Sequence, residues 1–399
     1  MVERYIEKCL YDFDKFIEFN ETEKPALSAK VGVLGKKDSF NLNSLLVNKK
    51  TVTAPNYNQD QYPVIDLMFE LALQGRLYYK GNDVKGKSAL VKTPRLDSYF
   101  ALNKAEKYAF LLQTYWTKYE FLEKFDRWLP INAFYNFLVY IANSKPEQQI
   151  FKNENHQTDG IYSEGAAFQY HLRFFGMGEP ELIEGAKGKY EDSIRAFVPN
   201  CFGIEISNLI CMEALAYWNR KDVVYLSAFE NKAFKKEKNE PFEVFKKVFP
   251  KNIVVNTVEE INREDVNGVY CFKVSLSKTL WRKIKLSGKH TLDDLHDAIQ
   301  GAFEFDNDHL YAFYIGGNRR TGKPIYCAEA RDGGAVAEET TIEEMELFAG
   351  QKFIYLFDFG DMWEFSVELI GIEKGEPLPL RPIIVEVKGE SPEQYRHDW

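Results

Sequence analysis

The chain has 399 residues, of which 45% are hydrophobic, 15% aromatic and 28% charged. That length exceeds one ordinary core and fits two or three domains, and the apolar content excludes a disordered chain. A net charge of −9 excludes broad, sequence-independent nucleic-acid binding, which needs clustered Lys and Arg, and leaves room only for a local basic patch.

The five cysteines, Cys9, Cys201, Cys211, Cys271 and Cys327, are scattered and show none of the close pairs of zinc or redox sites. They suit a reducing cytoplasm. No apolar run of about 18 residues occurs, and Glu3, Arg4, Glu7 and Lys8 occupy the place of a signal peptide's apolar stretch. The expectation is a cytoplasmic protein that neither spans a membrane nor is secreted.

In chain order, residues 1–60 open on Tyr5, Tyr11, Phe13, Phe16 and Phe19 without a firm period, and read as padding on the next domain. Pro63 starts an amphipathic helix with Val64, Leu67, Met68 and Leu71 on one face and Gly75 as its stop. Two short strands, Arg76 to Tyr79 and Ala89 to Val91, flank a turn from Gly81 to Gly86. Asn103, with Glu106 three residues on, caps a long helix whose stripe is Tyr108, Leu111, Leu112, Tyr115, Tyr119 and Leu122. A second unit has a related order: a helix from Tyr162 to Phe175, turn signals from Pro180 to Gly188, and an apolar helix from Ser207 to Trp218. Both units resemble degenerate winged-helix modules in element order. The functional reading places Lys80, Lys85, Lys87, Lys92 and Arg95 on a wing that meets DNA phosphates or a partner; the plainer reading is that these side chains solvate a loop. Residues 230–268 read as a linker with one short helix near Phe242 to Phe249.

The last third is better patterned. Tyr270, Phe272, Val274 and Leu276 alternate with polar residues along a strand, and a second strand runs through Trp281 to Leu286. Thr291 caps a helix with Asp294 at the third position, and Leu292, Leu295, Ile299 and Phe303 line one face. Tyr311, Phe313 and Ile315 mark another strand, and Phe353 to Phe357 and Trp363 to Leu369 flank the turn Asp358-Phe359-Gly360-Asp361. The domain expectation is a padding segment over 1–60, winged-helix-like units over 61–150 and 151–250, and a mainly antiparallel α+β domain over 266–399. The chain is therefore expected to be α+β, mainly helical in its N-terminal region.

Three ordered motifs carry a resemblance: Leu295-His296-Asp297-Ala298-Ile299-Gln300, then Asp308-His309-Leu310 with Phe313, then Phe357-Asp358-Phe359-Gly360-Asp361-Met362-Trp363-Glu364. Together they resemble the plasmid pRiA4b ORF-three-like family from about Val269 to Tyr395, with His296, Gln300, Asp308, His309, Asp358, Gly360, Asp361 and Trp363 as motif positions. The resemblance implies a small α+β domain of bacterial, archaeal and mobile-element proteins, some labelled resolvase-like, with no settled activity. The chain departs from the family pattern at Phe365, where many members have His after Trp-Glu, at Phe305, where Trp is common, and in lacking a Cys-Gly-Gly tail.

The cluster His296, Asp306, Asp308, His309, Asp358 and Asp361 mixes carboxylate and imidazole, a chemistry that could hold a divalent cation and activate water. The plainer alternative is that Asp358 and Asp361 accept backbone bonds in a Gly turn. Asp358-Phe359-Gly360 lacks the other kinase motifs, Gly176-Met177-Gly178 lacks the third glycine of a dinucleotide site, and His290 and His296 are six apart, not on a zincin's shared face. With one arginine, Arg4, in residues 1–60, a serine recombinase is unsupported as well. The expectation is a non-catalytic binding, adaptor or regulatory protein, with a protein partner or DNA, no membrane and no dinucleotide cofactor. The alternative is a metal-assisted hydrolase or nuclease with Asp358, Asp361 and His309 as catalytic and metal-binding candidates.

Overall fold

The computed structural model describes residues 3–28, 31–82, 87–125, 132–151, 159–163, 165–183, 194–219, 240–258, 268–315, 319, 323–330, 334–345 and 347–395. Two compact units form: Met1–Pro25, Val33–Tyr78 and Lys92–Val258 make one, and Ala26–Gly32, Tyr79–Val91 and Glu259–Trp399 the other. The fold is α+β, with a helical N-terminal region and a sheet-rich C-terminal domain. Among the described residues no helix is long and apolar enough to cross a membrane.

Helices α1 (Glu3–Glu23), α2 (Lys36–Leu45) and α3 (Pro63–Gln74) lead into the hairpin β1 (Tyr78–Asn82) and β2 (Ser88–Lys92). Then come α4 (Arg95–Ala101), α5 (Lys104–Lys118), α6 (Phe121–Lys124), α7 (Asn132–Ala142), β3 (Ile150–Phe151) and α8 (Ala166–Phe174). The hairpin β4 (Gly178–Leu182) and β5 (Ile194–Pro199) precedes α9 (Cys201–Leu209) and α10 (Pro241–Phe245). Helix α1 lies in the stretch that showed no firm period. It buries Ile6, Cys9, Leu10, Phe13, Phe16 and Ile17 at helical spacing. Its buried Asp12 accepts from the backbone N–H of Val47 (2.7 Å) and Asn48 (2.9 Å), which fastens the segment after α2.

The capping box expected at Asn103 is present, with Glu106 N donating to Asn103 Oδ1 at 3.0 Å and Asn103 N to Glu106 Oε2 at 2.9 Å. Glu106 Oε1 accepts from Val255 N and Asn256 N at 3.1 and 2.7 Å. Residues 240–258, read from sequence as part of a linker, are therefore docked in this unit, with Phe245 buried. Linker positions 230–239 and 259–267 lie outside the described residues.

The repeated order helix, hairpin, helix has a shared hydrogen-bond pattern that the residues themselves conceal. At the end of α3, Leu77 N bonds Ala72 O and Arg76 N bonds Leu73 O, both at 2.9 Å, with Arg76 at φ 56. At the end of α8, Met177 N bonds Leu172 O and Gly176 N bonds Arg173 O, both at 2.9 Å, with Gly176 at φ 71. This is the left-handed Schellman closure twice over. The returning strands repeat it: Thr93 N reaches Leu77 O and Thr93 Oγ1 reaches Arg76 O, while Asn200 N reaches Met177 O and Asn200 Nδ2 reaches Gly176 O. Thr93 and Asn200 then each accept a backbone N–H at the start of the following helix.

Two local expectations change. Pro180 stands inside β4, not in a turn; β4 is an edge strand, where the missing N–H costs nothing. The turn signals from 184 to 188 lie outside the described residues. The helix expected from Ser207 starts at Cys201, passes into π pitch over Ile210–Ala214 and ends as a 3-10 turn. Position 203, in the first turn of α9, must be Gly, since an added Cβ would stand 1.8 Å from Met177 O. Gly203→Ala is expected to cost roughly 3 kcal/mol through overpacking, read as a lower denaturation midpoint of the N-terminal unit.

In the C-terminal unit, β6 (Val269–Ser275), β7 (Trp281–Ser287), α11 (Leu292–Phe303), β8 (Tyr311–Ile315), β9 (Lys323–Tyr326), β10 (Lys352–Phe357), β11 (Trp363–Glu373) and β12 (Ile383–Lys388) follow in order. The strands form one sheet, β12-β7-β6-β11-β10-β8-β9, with every pair antiparallel. Alternation works as expected: Phe353, Tyr355 and Phe357 point into the core from β10, and Phe365, Val367 and Leu369 from β11. Helix α11 lays Leu292, Leu295, Ile299 and Phe303 on that face, and burying each such side chain contributes roughly 1.5–3 kcal/mol. The hairpin body from Tyr79 to Val91 belongs to this unit. The Tyr79 ring meets Phe348 edge-on at 4.9 Å and its hydroxyl donates to Gly350 O at 3.4 Å.

Candidate functional site

The β10–β11 hairpin closes at the pair Phe357 and Trp363, leaving Asp358 to Met362 as its turn. Asp358 and Met362 both adopt left-handed backbone, at φ 55 and 60. An Asp tolerates this because its side chain bonds locally, and here Asp358 Oδ1 accepts from Gly360 N (2.8 Å) and Asp361 N (3.2 Å). Met362 N donates to Asp358 O at 2.7 Å, and Asp358 N to Leu310 O at 3.0 Å, tying the turn to the start of β8. A left-handed Met has no such local reason and is held by the turn around it.

Beside the turn, His309 Nδ1 lies 2.8 Å from Asp308 Oδ1, and Nε2 lies 3.7 Å from Asp358 Oδ2. Tyr395 from the C-terminal tail donates to Asp308 Oδ1 at 2.8 Å. Gln394 exchanges two bonds with the backbone of Asp306, accepting from its N–H at 2.5 Å and donating to its carbonyl at 3.0 Å. The bond to Asp308 raises the His309 pKa above its ordinary value, and the charges of Asp358 and Asp361 add to it. The same bond holds Asp308 below the usual carboxylate range. Burial, with the bond to Asp308, pushes Tyr395 up to about 12. Asp361 enters the turn through its backbone N–H and its side chain is exposed. Among the described residues no group of three or more His, Cys, Asp or Glu side chains is placed to hold a metal ion. Leu310, Phe359 and Met362 leave 38% to 41% of their surface exposed around this acidic end.

His296 and Gln300 lie elsewhere, buried between α11 and β10. Gln300 Nε2 donates to Tyr355 Oη at 2.6 Å, and Tyr355 Oη lies 2.5 Å from His296 Nδ1. His296 Nε2 lies 2.7 Å from Asn307 Oδ1, while Asn307 Nδ2 donates to Asp297 at 3.1 Å. Since Asn307 uses its NH₂ on Asp297, its oxygen accepts from His296 Nε2–H, and Nδ1 accepts from the Tyr355 hydroxyl. This chain of bonds suits a neutral imidazole. Burial lowers its pKa accordingly, and the ring stacks on Tyr311 at 3.7 Å. Phe305, where Trp is common in the family, meets Trp363 edge-on at 4.9 Å, a packing role.

The described basic residues at the first hairpin make contacts within the chain. Lys92 pairs with Glu21 at 3.6 Å, and Arg95 opens α4 and donates Nε to Gly75 O at 3.3 Å. Lys80 and Lys87 also make interactions, and Lys85 lies outside the described residues. Tyr395, Gln394 and Arg282 escaped the sequence reading. Each joins a partner 86 to 109 residues away, which leaves no local pattern.

A helix-backed antiparallel sheet with a buried His–Tyr–Gln network and an acidic hairpin end defines the C-terminal unit as a small α+β domain. Residues 268–395 match the family model described as plasmid pRiA4b ORF-3-like protein. An uncharacterized protein, y4hQ, of Sinorhizobium fredii is 31% identical over 133 residues, covering 32% of this chain and 66% of that protein. The match thus spans slightly less than two thirds of the relative's length. A crystal structure of a protein of unknown function from Methanosarcina mazei Go1 is 26% identical, covering 31% of this chain and 70% of that one, with a TM-score of 0.25.

Proposed function

We propose that the chain is a non-catalytic binding or adaptor protein that meets a protein partner through the hairpin end of its C-terminal domain. The observation that carries this is the turn from Asp358 to Met362, where left-handed backbone presents Phe359 and Met362 to solvent beside Leu310. Exposed apolar side chains grouped on a braced turn suit a partner better than they suit water. Asp306, Asp308, Asp358 and Asp361 around them favour a partner segment that is basic as well as apolar. Other motif side chains support the reading, since His296 and Gln300 are committed to the core network. The contacts of Lys92 with Glu21 and of Arg95 with Gly75 within the chain also favour a contact at this hairpin end over one on a DNA-facing wing.

The test pairs capture with metal titration on the full chain. Phe359→Ser combined with Met362→Ser should abolish capture of a basic partner while the fold is retained. Asp358→Asn with Asp361→Asn preserves the turn's acceptors and its left-handed residue. Stoichiometric divalent-cation binding by the wild type, lost in that second variant together with phosphodiester hydrolysis, would replace this reading with the metal-assisted hydrolase.

A further inference from the structure

The two edges of the C-terminal sheet are built differently. At one edge, β9 carries Pro324, which has no N–H to offer, and Tyr326 is bridged to Val336, with Ala337 N donating to Tyr326 O at 2.9 Å. That edge is closed to further pairing. At the other, β12 bonds to β7, and among the described residues no strand lies on its outer side. All six of its residues are exposed, including Ile383, Ile384, Val385 and Val387. Natural edges of this kind are blunted by charge or covered.

We propose that β12 pairs with β12 of a second copy of this chain about a two-fold axis, joining the two sheets. The register follows from the strand itself. Antiparallel pairs alternate between bonded and non-bonded kinds, so a two-fold ladder must place some residue opposite itself. The register of β12 on β7 shifts between Ile384 and Glu386, which marks Val385 as the bulge and unfit to be the centre. Centring on Ile383 or Ile384 draws both Pro382 and the bulge into the ladder. Centring on Glu386 or Lys388 sets like charges face to face. Centring on Val387 sets Glu386 opposite Lys388 twice and brings the two valines together. Glu386 and Lys388 share the sheet face of their β7 neighbours Lys283 and Trp281: Glu386 pairs with Lys283 at 2.5 Å, and Lys388 Nζ lies 5.8 Å from the Trp281 ring. Val387 lies on the opposite face with its β7 partner Arg282. The ladder is short, because Gly389 at φ 80 turns the chain off the edge. A concentration-dependent dimer is the consequence.

Sedimentation equilibrium of the full chain should show monomer and dimer exchanging over roughly 1–100 µM. Lys388→Glu should raise the dimer dissociation constant about tenfold by setting carboxylates opposite each other, and adding Glu386→Lys should restore it to within about threefold. Val387→Cys, which changes no charge, should be trapped by mild oxidation as a reducible covalent dimer, because residues on the axis come within disulfide reach. Wild type oxidised in parallel controls for the natural cysteines. A monomer at every concentration with no trapping at residue 387 overturns the proposal. So does a dimer that neither charge variant changes and that Val387→Cys does not trap.

Discussion

Acidification from pH 7 to 4.5 should cost the N-terminal unit roughly 3 kcal/mol through His171. His171 lies on α8 inside a nest of Tyr115, Tyr119 and Phe125, with Nδ1 3.0 Å from the Tyr115 hydroxyl. Burial pushes its pKa down from 6.5 to about 3, the Lys124 charge adds to this, and a bond with the Pro63 backbone works against it. A native imidazole that stays neutral gives stability that is full above pH 6.5. Below 6.5 the unfolded chain binds a proton the native one refuses, so stability falls by about 1.4 kcal/mol per pH unit until about pH 3. Asp12 and Asp14, raised by burial, offset this only near their own range. Denaturant midpoints at pH 7.5, 6 and 5 for wild type and His171→Phe would check it. The variant loses neutral-pH stability because Tyr115 loses its partner, but its slope below pH 6.5 should flatten. An unchanged slope would remove His171 as the cause.

Replacing Arg282 should be the costliest single change in the C-terminal unit. Arg282 is buried on β7, and its Nε donates to Ala302 O at 2.7 Å near the C-terminus of α11. Nη1 reaches Trp281 O, Lys388 O and Gly389 O, and Nη2 reaches Ser391 Oγ at 2.8 Å, while the guanidinium lies 4.4 Å from the Phe303 ring. One side chain thus gathers a helix end, the last strand and the tail. Arg282→Met removes these charge-assisted bonds and leaves buried carbonyls short of donors, a loss of roughly 4 kcal/mol. Arg282→Lys should recover little, since an ammonium cannot reproduce the planar fork. Denaturation of the full chain followed at Trp281, with limited proteolysis after β12, would measure both; cleavage and stability matching wild type would refute the role.

What the residues disclosed depended on how local the relevant bond was. The capping boxes at Asn103 and Thr291 lie within three residues and were readable, as was the stop of α3 at Gly75. The alternation of β10 and β11 was readable because one face is core and the other is not. Helix α1 was missed because the aromatic residues do not keep the period; Ile6, Cys9, Leu10 and Ile17 complete it, and the buried Asp12 interrupts it. Strand β12 was missed for the opposite reason, since neither face is buried and nothing alternates. The doubled hairpin exit was hidden because Arg76 and Gly176, and likewise Thr93 and Asn200, serve one purpose with different side chains. Asp308, His309 and Asp358 were legible as motif residues, whereas Tyr395 joins them from a tail 87 residues beyond Asp308.

The membership of Tyr79 to Val91 in the C-terminal unit bears on synthesis. Tyr79 leaves the ribosome 271 residues before its acceptor Gly350. At elongation rates of about 5–20 residues per second, the hairpin waits roughly 15 to 50 s for the Phe348 and Gly350 that Tyr79 meets. A nascent chain in that interval carries an uncovered tyrosine, the kind of surface that holdase chaperones take up. An excised fragment starting near Gly268 would have the converse defect, with Phe348 left bare.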